Sequence, residues 1–93
     1  MTVKRIKKRV LPILIRHRIS KASLFGSVVS GKLNSRSDID VLVKMPKSAS
    51  LLDLAELKDE LELKLGRKVD VLTFNSIHPL LKESILNNQK VIL

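Results

Sequence analysis

The chain has no cysteine, tryptophan or tyrosine. Without cysteine it can form neither disulfides nor thiolate metal sites, which fits a reducing, cytoplasmic setting. Two phenylalanines, Phe25 and Phe74, are its entire aromatic content, too few for a single-strand binder built on base stacking. No apolar run approaches the ~18–20 residues of a membrane span. The basic start MTVKRIKKRV is followed by no apolar h-region or small-residue cleavage site, so a signal peptide is not expected. Acidic residues are missing from residues 1–37, which carry ten lysines and arginines, whereas residues 38–93 hold eight basic and nine acidic side chains. The net charge of +9 is therefore a property of the N-terminal part. A field of that sign attracts polyphosphates, RNA or an acidic protein surface.

What is present suffices for one small domain over residues 1–93, burying roughly 60–65% of its unfolded surface. Residues 3–18 read as a helix, with Val3, Ile6, Val10, Ile13 and Leu14 three and four apart and Pro12 expected to kink or divide it. KASLF, residues 21–25, reads as a strand that runs into Gly26 and a short helix around residues 27–31. DIDVLVK, residues 38–44, reads as a second strand, followed by a loop over residues 45–49. Ser50 and Asp53 form a capping-box pattern ahead of a helix at residues 51–65, with Leu51, Leu54, Leu57, Leu61 and Leu65 on one stripe and Gly66 as its stop. A third strand at residues 68–74 and a helix at residues 77–88 follow, and VIL ends the sequence without an assignment. The order α-β-α-β-α-β-α predicts an α/β (α+β) fold, a small mixed sheet covered by helices.

The stretch GSVVSGK, residues 26–32, matches most of a phosphate-binding P-loop. Leu33 stands where that loop needs a Ser or Thr hydroxyl for Mg²⁺, and NSRSD after it is made of turn formers rather than a long helix. The match fails in its context.

Asp38 and Asp40 suggest other chemistry. Residues two apart on a strand share a face, so these carboxylates repel unless a cation lies between them. Hard oxygen ligands select Mg²⁺ or Mn²⁺. Asp70, in KVDVLTF, joins them if its strand pairs beside residues 38–43. Three such carboxylates could hold two metal ions about 4 Å apart, an arrangement suited to in-line phosphoryl displacement. Gly26 and Ser27 offer backbone amides and a hydroxyl for terminal phosphates, and Gly31 permits a sharp exit from the short helix. For each residue singly, ordinary turn chemistry or a solvated strand face is the competing explanation.

Together, Phe25-Gly26-Ser27, Asp38-Ile39-Asp40-Val41 and Asp70 resemble the signature of the DNA polymerase beta-type nucleotidyltransferase superfamily. More narrowly the chain resembles the minimal nucleotidyltransferases of MntA type, antitoxins that act on HEPN toxins. The resemblance implies that Asp38 and Asp40 bind two Mg²⁺ ions holding ATP. It implies that Asp70 binds the second ion and deprotonates the attacking hydroxyl. Gly26 and Ser27 would contact pyrophosphate, and the product would be AMP on a hydroxyl, a tyrosine of the partner. Many relatives carry arginine where this chain has Ser30; Lys32 or Arg36 would then supply the cation for the phosphates, or activity would be reduced. Larger members add a helical domain that places the acceptor; no such domain is expected over residues 1–93, so a partner would present it. The competing expectations are an antitoxin that neutralises by binding alone and a nucleic-acid-binding module using residues 1–37. His17 and His78 are expected as surface or capping residues.

Overall fold

A computed structural model describes residues 2–32, 34 and 37–93. Helix α1, Val3–Arg16, starts at Thr2, whose hydroxyl accepts from the Arg5 amide at 3.2 Å. Ile6, Val10 and Leu14 recur every four residues and are all buried. The helix runs unbroken through Pro12. Proline removes the bond to the Lys8 carbonyl, but Lys8 and Pro12 are both exposed, so water can take that carbonyl.

The helix stops at Arg16, two residues before the expected end. Arg18 adopts a left-handed conformation (φ 60°). Its amide bonds to the Ile15 carbonyl and that of Ile19 to the Leu14 carbonyl, both at 3.0 Å. This is a Schellman closure, and the burial of Leu14 and Ile19 supplies its usual apolar partner contact.

Four strands follow: β1 Lys21–Phe25, β2 Ile39–Lys44, β3 Val69–Thr73 and β4 Lys90–Val91. They form one sheet in the order β3-β2-β1-β4. β1 is antiparallel to β2 and to β4, while β2 and β3 are parallel. The parallel pair needs a crossover, and α3, Leu51–Leu65, provides it. A four-residue helix α2, Ser27–Ser30, links β1 towards β2, and α4, Pro79–Asn88, links a short 3-10 turn after β3 to β4. The unassigned VIL thus supplies the sheet's last strand at Val91, and Ile92 is buried.

One face of the sheet presents Ala22, Leu24, Ile39, Val41, Val43 and Val69 to Ile6, Val10, Leu14, Leu57, Leu61 and Leu65 of α1 and α3. This is the main core, and each buried valine, leucine or isoleucine in it contributes about 1.5–3 kcal/mol. The leucine stripe of α3 is only partly internal. Leu57, Leu61 and Leu65 are buried and Leu54 is half-buried, but Leu51 is 85% exposed. The helix meets the core progressively, and its first turn is held by the Ser50–Asp53 capping box instead. Along β2, alternation sends Asp40, Leu42 and Lys44 to the opposite face. Leu42 and Ile77 are buried outside the main core cluster.

Candidate active site

β1 delivers the chain into Gly26, whose backbone (φ 72°, ψ −144°) is closed to L side chains. A Cβ there would fall on the Asp40 carboxylate oxygen and come within 3.2 Å of its Cγ. Glycine is thus required twice, by conformation and by the close approach of a carboxylate. Ser27 is half-buried at the start of α2. The short helix ends at Gly31, again left-handed (φ 78°), but with open space where a side chain would go. Lys32, exposed, follows it. Arg36 lies outside the described residues.

The register brings two of the aspartates side by side. Asp40 is opposite Asp70 in the parallel β2–β3 ladder and opposite Phe25 in the antiparallel β1–β2 ladder. Asp38 precedes β2 and is exposed, as is Asp70; Asp40 is half-buried. Burial pushes the Asp40 carboxyl above its usual range, and the charges of Asp70 and then Asp38 push it further the same way. Among the described residues no lysine, arginine or histidine pairs with any of the three; Arg16 and His17 meet Glu60 instead.

That chemistry suits a hard divalent cation, with an oxygen-only donor set and a charge lacking its counter-ion. The side chains themselves do not converge. Among the described residues no three acids or histidines are arranged to hold one ion. The backbone gathers the aspartates; ligation would need their carboxylates to turn inward.

Several contributors had no signal in the sequence. Arg67 donates to the carbonyls of Asn34 and of Ser37, the latter at 2.9 Å, and so ties down the segment entering Asp38. Glu62 accepts from the Val69 amide at 2.8 Å, fixing the start of β3 one residue before Asp70. Both act across separations or loops that local pattern does not reveal. A cleft of about 370 Å³ beside Gly26 is lined by Phe25, Val29 and Ser30 on one side and Ser84, Ile85 and Asn88 of α4 on the other. Ser30 turns its hydroxyl to the Ser27 carbonyl at 3.3 Å. His17 donates from Nε2 to the Glu60 carboxylate at 2.9 Å, and His78 caps α4 by accepting from the Leu80 amide at 3.2 Å.

Residues 8–93 match the family model described as polymerase beta, nucleotidyltransferase. A Methanocaldococcus jannaschii chain, provisionally named a protein adenylyltransferase, is 50% identical over 93 residues and covers all of both chains. A solved structure described as a minimal nucleotidyltransferase, also provisionally, superposes with TM-score 0.83 at 34% identity, over 96% of this chain and 94% of the other. A complex of a tri-AMPylated Shewanella oneidensis HEPN toxin with its MNT antitoxin gives TM-score 0.75 at 20% identity, over 97% of this chain and 71% of that one, a likeness of fold. The glycine-serine corner and paired aspartate strands therefore stand in a chain that belongs to the polymerase beta-type nucleotidyltransferase family, among its minimal nucleotidyltransferases.

Proposed function

We propose that this chain is a Mg²⁺-dependent protein adenylyltransferase that moves AMP from ATP to a hydroxyl, a tyrosine, on a HEPN-type toxin and thereby acts as its antitoxin. The observation that carries the reading is the register of Asp40 against Asp70, with the Gly26 backbone closed against the Asp40 carboxylate. The names borne by the relatives supply the acceptor class.

In this reading Asp38, Asp40 and Asp70 hold the cations. When bound, Mg²⁺ would neutralise the triphosphate and the repelling carboxylates together. Gly26 and Ser27 place backbone amides and a hydroxyl against the phosphates, Gly31 permits the turn out of α2, and Lys32 and Arg36 add positive charge. Asp70, exposed at the edge strand, faces the incoming acceptor and takes the hydroxyl proton on a carboxylate oxygen. The acceptor oxygen bonds to the α-phosphorus, the bond from that phosphorus to the bridging oxygen breaks, and pyrophosphate leaves. The partner supplies the platform for the acceptor.

The test is label transfer. With ATP labelled at the α-phosphate, Mg²⁺ and a HEPN-type partner protein, the partner should acquire label, and γ-labelled ATP should leave none. An Asp38→Asn, Asp40→Asn double variant should lose transfer by at least about a thousandfold; retained labelling would overturn the reading. The Ser30 hydroxyl bonded to its own helix favours one second reading, neutralisation by binding with weak catalysis. That reading expects the same double variant to silence the partner at equal stoichiometry.

A further inference from the structure

We propose that the lysine-rimmed hollow at the far end of the sheet is a second anion site, one that takes a nucleoside di- or triphosphate without a divalent cation. Lys21 and Lys44 are direct partners in the antiparallel β1–β2 ladder. Like charges set opposite each other destabilise a strand pair, and among the described residues neither meets a carboxylate. Lys47, in the turn beyond β2, adds a third ammonium to the same hollow of about 510 Å³. No acid is among the residues that line it.

Lys44 lies four residues along β2 from Asp40 on the same face, about 13 Å away at the rise of a strand. The hollow is therefore separate from the aspartate end and opposite to it in charge. Its volume falls within the ~300–1,000 Å³ typical of small-ligand sites. Three point charges suit a multiply charged phosphate chain. Phe74, Met45 and Pro46 line the same hollow with apolar surface, against which a planar base can lie. A simple phosphate would leave that apolar lining unused, and a neutral ring would leave the lysines unpaired. A nucleotide satisfies both.

The experiment is an amide-shift NMR titration of the whole chain with ADP in EDTA. Without divalent cations the aspartate end repels a nucleotide, so failure of the transferase reading does not alter this result. Saturable shifts are expected at residues 43–47 and 73–75, weakening steeply with salt, with residues 26–31 and 38–40 unmoved. Adenosine alone and inorganic phosphate alone should each bind at least about tenfold more weakly than ADP. Lys21→Gln with Lys44→Gln should weaken ADP by at least about tenfold and melt no lower than the parent, since it removes a repulsion. Lys47→Gln, in an exposed turn, should weaken binding without touching the sheet. Shifts centred on α2, unchanged affinity in the lysine variants, or no saturable response up to about 10 mM ADP would each overturn the proposal.

Discussion

Asp40 is where the sequence's chemistry and the fold's electrostatics meet. Its carboxyl titrates above the usual value of 3.8 through burial first and then through Asp70 and Asp38. The folded chain therefore holds this proton more tightly than the unfolded chain does. Stability falls as pH rises from the unfolded value through the folded one, and the loss persists at neutral pH. Asp40→Asn should raise the melting temperature in EDTA at pH 7, by about 4–8 °C for each kcal/mol relieved in a domain of this size. The gain should shrink near pH 3, and added Mg²⁺ should stabilise the parent but not the variant. A variant that melts below the parent at pH 7 without metal would contradict this placement of charge. At this scale much was legible: a D-x-D on a strand announces shared charge, and a glycine at a strand end announces a close approach. Asp40 and Asp70 could be paired only conditionally, because register across a crossover of some 25 residues leaves no local trace.

Among the elements, those with local punctuation were readable. Ser50 and Gly66 bracket α3 as expected, because capping and left-handed termination are written in neighbouring residues. The end of α1 was not readable, since its left-handed residue is Arg18 rather than glycine. An L residue there costs roughly 1–2 kcal/mol, against roughly 0.5–1 kcal/mol for glycine's freedom in the unfolded chain. Arg18→Gly should therefore stabilise by up to about 1 kcal/mol in chemical denaturation, leaving the denaturant slope unchanged. A loss of stability would mean that the side chain does more than end the helix. The last strand was invisible because Lys90–Val91 is two residues long and carries no alternation to detect. Arg67 belongs to this scale as well, since it joins the turn after α3 to the segment before β2. Arg67→Ala should leave folding nearly intact while slowing adenylyl transfer on the order of ten- to a hundredfold, as expected when a ligating carboxylate loses its position. An unchanged turnover number would show that Asp38 is held by other means.

Across the whole molecule, the two faces of the sheet divide the labour. One is filled by α1 and α3 and holds the chain together; the other carries aspartates at one end and lysines at the other. The hydrophobic spacing of Ile6, Val10 and Leu14 and of Leu57, Leu61 and Leu65 made the first face legible. The second is set by which strands adjoin, and spacing along a chain does not record that. Among the described residues no helix is long and apolar enough to cross a membrane. In the proposed transferase, the aspartates must turn inward on a shared cation when nucleotide binds. Titration of Mn²⁺ by electron paramagnetic resonance, with a non-hydrolysable ATP analogue present, tests it most directly. The parent should bind one or two ions, and Asp40→Asn and Asp70→Asn should each weaken binding by at least about tenfold. Undiminished Mn²⁺ affinity in Asp70→Asn would show that the third carboxylate stands apart from the site.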